Sequence, residues 1–266
     1  LGWWTKLGLR CAFWRYPSPG GGWARRAGLR LLLWPLWLRM VVLGKDLKVI
    51  PYEGRGRLLE VGCGKGAWLD YQRLYGFAVT GVETSRSAVE VAHRRYRLDV
   101  RAGTLEEARF QDRAFDVIYM SHVFEHLPDP AATLEEMHRI LGAGGLAILK
   151  IPNIDSAGAR AFGAHWLGLD LPRHLYHFSP DTITALLRRH GFAVSAMRHD
   201  IGAWGFWRES RLLQARDRQD GPAGQAWWQD AVDQAVERWA CWRRQGSNIV
   251  VYARKVASDQ AGASAV

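Results

Sequence analysis

The chain is poor in cysteine, in long apolar runs and, at one end, in acid, and each shortage excludes something. Cys11, Cys63 and Cys241 are far apart and show neither the spacing of a thiolate metal site nor a disulfide framework. A reduced, cytosolic setting is therefore the expectation. The longest apolar stretch, Leu29–Gly44, contains Pro35 and Arg39, and falls short of the ~20 residues that a membrane-crossing helix needs. It also lacks an A-x-A-like cleavage site and follows some thirty residues, so it does not read as a signal peptide.

Acids are scarce in residues 1–57, where Asp46 and Glu53 face eleven Lys and Arg for a local charge of +9. Since the whole chain carries +10, the other 209 residues net only +1. Tryptophan is distributed in a related way, with six before residue 40, six from Trp204 to Trp242, and only Trp68 and Trp166 between. A basic, Trp-rich segment invites two readings. One is an interfacial helix with Trp34 and Trp37 at headgroup depth and Arg25, Arg26, Arg30 and Lys45 facing anionic lipid, which makes residues 23–45 the candidate for peripheral contact with the inner face of a membrane. The other, which the composition favours, is an ordinary helix packed on the core.

What the chain does have is a glycine turn in the right company. Leu58–Val61 is an apolar run preceding Gly62-Cys63-Gly64-Lys65-Gly66, and Glu83 follows at the end of the next apolar run. Closely spaced glycines after a strand let backbone N–H groups approach a ligand. An acid about twenty residues on is placed to accept hydrogen bonds from a ribose. Two cofactor classes fit the spacing. Gly62, Gly64 and Ala67 satisfy the dinucleotide pattern G-x-G-x-x-G/A. Glu60, Gly62, Gly64 and Gly66 satisfy E-x-G-x-G-x-G, in which the leading acid suits a ligand with a cationic tail.

Six ordered blocks carry a resemblance: LLEVGCGKG (Leu58–Gly66), GVETS (Gly81–Ser85), GTLEEA (Gly103–Ala108), FDVIYMSHVFEHLPDP (Phe115–Pro130), LGAGGLAILKIPN (Leu141–Asn153) and PRHLYHFSPDTITALLRRHGF (Pro172–Phe192). Together they resemble the domain of class I S-adenosylmethionine-dependent methyltransferases over about Lys48–Asp200. The resemblance implies an α/β, Rossmann-like, doubly wound seven-stranded sheet with its last strand antiparallel. It implies S-adenosyl-L-methionine as cofactor, held by Glu60, Gly62, Cys63, Gly64, Gly66, Glu83, Thr84, Thr104, Leu105, Ser121 and His122. Relatives often carry an acid where this chain has Thr104, so adenine recognition is expected from backbone groups and Leu105 packing. Cys63 needs no role beyond its small size.

The residue pattern agrees with that architecture. Leu58–Val61, Ala78–Glu83, Asp116–Met120 and Leu146–Ile151 read as short strands, with helices over Ala67–Tyr75, Ser85–Tyr96 and Pro130–Leu141 between them. Asp129 is placed to cap the helix opened by Pro130, and Gly144-Gly145 is expected to end it. Phe192–Arg198 and Asn248–Lys255 read as late strands. The segments then run as a basic N-terminal helical segment (1–47), a core (48–200), a helical insert (201–247), the final core strand (248–256) and a disordered tail (257–266). In the insert, Trp204–Ala215 is expected to pair, across a Gly221-Pro222 turn, with a helix whose apolar face (Trp228, Val232, Ala235, Val236, Trp239) packs inward as a cap.

Histidines supply the remaining chemistry. His122-Val123-Phe124-Glu125-His126 matches the H-x-x-E-H metalloprotease pattern, but it follows a strand directly and runs into Leu127-Pro128, so no metal is required. In the methyltransferase reading, His126 stands beside the reacting methyl group and Glu125 is a structural candidate. The long connection Asn153–Ser179 adds Asp170, Arg173, His174, Tyr176 and His177, and connections of this length are commonly lids or binding loops. His126, His174 and His177 are the catalytic candidates, since a histidine with a pKa near 6.5 suits proton removal from a hydroxyl. The expected function is methyl transfer to a small-molecule acceptor, aromatic or lipid-linked, by positioning and water exclusion. A nucleic-acid substrate is disfavoured because Met120-Ser121-His122 is not the Asn-Pro-Pro-Tyr-like segment of base methyltransferases. A nicotinamide-dependent oxidoreductase and a non-catalytic membrane-surface protein are the alternatives from other classes.

Overall fold

The computed structural model describes residues 30–35, 50–200, 206–217 and 227–256. Seven strands form one sheet: β1 (Arg57–Val61), β2 (Ala78–Glu83), β3 (Asp99–Ala102), β4 (Phe115–Ser121), β5 (Leu141–Pro152), β6 (Phe192–Asp200) and β7 (Asn248–Lys255). Their spatial order is β3-β2-β1-β4-β5-β7-β6. The first five are parallel to one another, and β7 runs antiparallel to both β5 and β6. The doubly wound sheet with an antiparallel last strand is as the sequence implies. The chain leaves β1 outward through β2 and β3, then returns to start β4 beside β1. That reversal creates a crevice beyond the carboxyl ends of β1 and β4, where open α/β sheets bind ligands.

Among the described residues the α-helices are α1 (residues 30–35), α2 (Ala67–Arg73), α3 (Arg86–Val91, continued by a π-helical turn over Ala92–Tyr96), α4 (Pro130–Ile140), α5 (Ala157–Phe162), α6 (Pro180–Arg189), α7 (Phe206–Asp217) and α8 (Trp227–Trp242). Alternating strand residues feed two cores. Leu59, Ile118 and Leu149 pack with Leu134 and Met137 of α4 and Ile183 and Leu187 of α6. Leu58, Val117 and Ile148 point the other way, toward Leu69 of α2 and Val89 of α3. Asp129 caps α4 as expected, accepting the Ala132 N–H at 3.0 Å. Ser179 and Thr182 form a reciprocal box at the start of α6.

Two expectations need correction, the end of α4 and the face that α8 turns inward. Helix α4 does not wait for Gly144-Gly145. It gives way at Leu141, already extended and paired with Phe115, and the two glycines lie within β5. The connection Asn153–Ser179 carries α5 and two 3₁₀ turns, Gly163–His165 and Leu167–Leu169, which leaves the reading of it as a binding loop standing. Most instructive is α8, whose expected apolar face looks outward, with Trp228, Val232 and Trp239 about half exposed.

The inward side of α8 carries acid instead. Asp233 makes a two-pronged ion pair with Arg211 of α7 at 2.9 and 2.6 Å. Glu237, only 3% exposed, accepts the Ser247 N–H at 2.8 Å and the Trp207 indole N–H. These donors hold the acidic face of the helix against the core. Glu237→Ala should therefore cost about 2–4 kcal/mol, since it leaves the buried Ser247 N–H and the half-buried Trp207 indole without their acceptor. Thermal unfolding should record a fall of roughly 4–16 °C, whereas truncating exposed Trp239 should move the midpoint little.

The Leu29–Gly44 reading lies mostly outside the described residues, as do Trp37, Arg25, Arg26, Lys45, Trp204, the Gly221-Pro222 turn and the tail. Within residues 30–35, Leu31, Leu32 and Trp34 are exposed. No helix among the described residues is long and apolar enough to cross a membrane.

Candidate functional site

The site gathers where β1 and β4 end. After Val61 the backbone turns sharply, and Gly62 and Cys63 donate their N–H groups to the Val82 carbonyl at 2.8 and 3.2 Å. Gly62 has φ +72°, and a Cβ there would lie 2.4 Å from Val123 Cγ2, so only glycine fits. Gly64, at φ +54°, is different: a Cβ would meet nothing within 4 Å. The second glycine thus opens onto free space above the turn.

Two carboxylates flank that space. Glu83 Oε2 accepts the Gly64 N–H at 2.8 Å and Oε1 accepts the Ser85 N–H at 2.9 Å, tying the end of β2 to the turn. Thr84 Oγ1 lies 3.4 Å from the same Oε1. Glu60 is 7% exposed, and its Oε2 has no hydrogen-bond partner among the described residues. Burial, and secondarily the charge of Glu83, push its pKa up to about 8. An orphaned buried carboxylate beside an open glycine suits a ligand bearing an ammonium group. On this observation the residues fit the amino-acid tail of S-adenosylmethionine.

The other cofactor candidates fall unevenly. Burial and the neighbouring acids Glu60 and Glu83 push the Cys63 thiol up to about 12, so it is neutral, and its Sγ packs against Gly81. Gly66 packs against Leu98 and Ala92 at the start of α2. Thr104 and Glu107 bond reciprocally, N–H to side chain, at 2.9 and 3.2 Å. Leu105 is 2% exposed and belongs to the core, so its side chain is engaged inside. His122 sits in the left-handed region at φ +55°, and its N–H donates to the Lys150 carbonyl at 2.9 Å. This bend turns the chain out of β4.

The sequence reading missed a cavity of about 310 Å³ on the sheet face below this turn, lined by Glu60, Trp68, Tyr119, Ser121, Lys150 and Asp200 among others. Trp68 and Tyr119 stack with ring centroids 4.4 Å apart, and Lys150 pairs with Asp200. The available signal was polar residues interrupting apolar strands at matched register, since Glu60 pairs with Tyr119 and Ser121 with Lys150.

The histidines of the two loops converge. Residues Phe124–His126 form a 3₁₀ turn, and the Glu125 carbonyl accepts N–H groups from Leu175 at 2.9 Å and Tyr176 at 3.3 Å. The 170s loop is thereby clamped onto the turn after β4. His126 and His174 rings lie 4.7 Å apart, and His174 and His177 rings 6.3 Å apart. His126 Nδ1 lies 2.9 Å from the Arg173 carbonyl and His174 Nδ1 lies 2.8 Å from the Gly168 carbonyl. His177 Nε2 lies 3.0 Å from the Leu169 carbonyl. A carbonyl only accepts, so these nitrogens carry the protons, and Nε2 of His126 and of His174 keeps its lone pair when the ring is neutral. Glu125, 1% exposed, takes the His122 Nδ1–H at 3.2 Å on Oε1. The H-x-x-E-H segment is therefore no metalloprotease helix, because the two histidines do not share a helical face.

Comparison with known proteins bears on this geometry. Residues 42–196, more than half the chain, match the family described as Methyltransferase domain. A ubiquinone biosynthesis O-methyltransferase of Maricaulis maris is 34% identical over 158 residues, 55% of this chain and 62% of that protein. One of Xanthomonas oryzae pv. oryzae is 30% identical over 175 residues, 60% of this chain and 71% of that protein. The chain thus spans under two thirds of the length of the Maricaulis relative. Among solved structures, an S-adenosylmethionine-dependent methyltransferase of Mesorhizobium loti superposes with a TM-score of 0.52 at 19% identity, covering 84% of this chain and 97% of that one. One of Archaeoglobus fulgidus gives 0.51 at 16% identity, covering 85% and 94%. At such identities the superpositions speak for the fold.

Proposed function

The chain belongs to the methyltransferase-domain family of class I, S-adenosylmethionine-dependent proteins, and from that premise we propose that it transfers a methyl group to a hydroxyl oxygen of a small aromatic acceptor. The observation that carries the acceptor side is the imidazole–carboxylate cluster of Glu125, His126 and His174, set in the turn after β4 whose Val123 packs on Gly62. The names borne by the relatives of Maricaulis and Xanthomonas, O-methyltransferases of ubiquinone biosynthesis, favour oxygen over nitrogen.

S-adenosylmethionine supplies an electrophilic methyl group on a sulfonium centre, so little covalent work falls to the protein. Glu60 offers a carboxylate for the cationic tail, and Glu83 sets the turn through Gly64. The cavity below, walled on one side by the Trp68–Tyr119 stack, adjoins Glu60. A hydroxyl acceptor must lose a proton as it is methylated. The lone pairs on His126 and His174 face that task, and Glu125 stabilises positive charge developing on either ring. His177, held by Leu169, positions the 170s loop rather than the acceptor.

The test is transfer of a labelled methyl group to matched phenolic, alkylamine and carboxylate acceptors. Label in a base-stable methyl ether on the phenol alone, lost at least tenfold in His126→Asn, is the expected result. Label on an amine, or none despite firm S-adenosylhomocysteine binding, would remove the oxygen reading. Binding of NADH in place of S-adenosylhomocysteine would restore the dinucleotide alternative.

A further inference from the structure

We propose that Glu125, His126 and His174 hold one first-row divalent cation of zinc's class; this deepens the reading above, on which it rests for its role in the reaction but not for its existence. One donor atom from each of the three residues lies within 4.8 Å of the others. The Glu125 carbonyl clamps the 170s loop onto the turn through Leu175 and Tyr176, so the fold brings His174 to the adjacent pair Glu125 and His126.

Three features distinguish this cluster from a hydrogen-bonded histidine pair. First, both rings give Nδ1–H to a backbone carbonyl, His126 to Arg173 and His174 to Gly168. That is the way metal-ligating histidines are oriented, with the bare Nε2 turned to the ion. Second, Glu125 is 1% exposed and its Oε2 has no hydrogen-bond partner among the described residues. A buried carboxylate oxygen without a donor is costly and asks for a cation. Third, the group that does reach Glu125 is His122, whose Nδ1 donates to Oε1 at 3.2 Å. It steadies the carboxylate and leaves the other oxygen free.

The remaining charges do not compete. His174 Nε2 stands 3.9 Å from Glu125 Oε1 and 3.7 Å from Asp170 Oδ2, too far for hydrogen bonds. Asp170 is engaged by Arg173 at 2.7 and 2.8 Å. Two imidazoles and one carboxylate, without thiolate, favour a transition ion over magnesium or calcium, which prefer oxygen alone. Ion bonds of about 2.0–2.2 Å require the donors to draw in by about 1 Å. Three protein ligands leave a position open, as in catalytic rather than structural sites. With the Nε2 lone pairs of His126 and His174 on the ion, a hydroxyl bound there would lose its proton more readily to solvent, and this would replace direct removal by either ring.

Cobalt(II) is the probe, added to the full chain after dialysis against chelator. The expected result is one equivalent bound with visible d–d absorption, displaced by zinc. Glu125→Gln and His126→Asn should each weaken binding at least tenfold, while His165→Asn, remote on its Asp217 partner, leaves it unchanged. S-adenosylhomocysteine titration of every variant reports folding and the cofactor site separately. If cobalt fails to bind wild type, or binds Glu125→Gln and His126→Asn as tightly as wild type while S-adenosylhomocysteine still binds, the cation site is wrong and the methyltransferase reading stands. Loss of S-adenosylhomocysteine binding by wild type would strike that reading instead. Should Glu125→Gln unfold, the more exposed His126→Asn decides.

Discussion

Glu83→Ala is expected to weaken S-adenosylhomocysteine binding tenfold to hundredfold. Glu83 fixes the glycine turn by accepting from Gly64 and Ser85, and it also ends β2 facing the crevice. Hydrogen bonds to a charged acceptor contribute about 1.5–3 kcal/mol each, and about 1.4 kcal/mol is a factor of ten in affinity. Loss of the tie lets the open turn at Gly64 relax before any ligand contact is counted. Glu83→Gln should recover little, because its amide would turn an N–H toward one of two backbone donors. Calorimetric titration with wild type in parallel measures the effect. Unchanged affinity in Glu83→Ala would mean that this carboxylate serves the turn alone, and that the ribose is held elsewhere.

The reach of the sequence can be judged at particular residues. β2 and β7 were legible to the residue, because Ala78–Glu83 and Asn248–Lys255 are apolar runs closed by polar residues. β3, Asp99–Ala102, was not, since three of its four residues are exposed at the sheet edge and only Val100 is buried. The orientation of α8 was misread because an amphipathic pattern reports which face is apolar, not what opposes it. Arg211, the Trp207 indole and the Ser247 N–H form a donor surface that draws Asp233 and Glu237 inward. The glycine turn and Glu83 could be read from spacing, as both are local. The convergence of Glu125 and His174, 49 positions apart, and the cavity joining β1, β4 and β5 depend on register that spacing alone does not carry.

Cofactor-tail binding is expected to strengthen with pH, about tenfold per unit at most, from pH 6 to 8 and to level off above. The sign follows from Glu60, whose pKa in the ligand-free protein is raised from 4.5 to about 8 by burial and by Glu83. At pH 6 the group is protonated, yet an ammonium tail is held by the carboxylate, so binding must expel a proton. At about pH 8 half the proton is gone, and by about one unit higher the slope has nearly vanished. Calorimetry of S-adenosylhomocysteine binding in buffers of different ionisation enthalpy should count nearly one proton released at pH 6.5 and none at pH 9. Glu60→Gln should abolish the slope and hold affinity at or below the low-pH value. The same shift has an opposite consequence for stability. The folded state keeps a proton that the unfolded chain has lost between pH 4.5 and 8, so stability contributed by this group falls as pH rises through that window. Glu60→Gln should therefore unfold at higher temperature than wild type, with the gap growing toward pH 8. A variant that binds more weakly and melts later would mark Glu60 as charge kept buried for a ligand. One that binds weakly and melts earlier would mark it as part of the packing, and the tail would have to be held by another group.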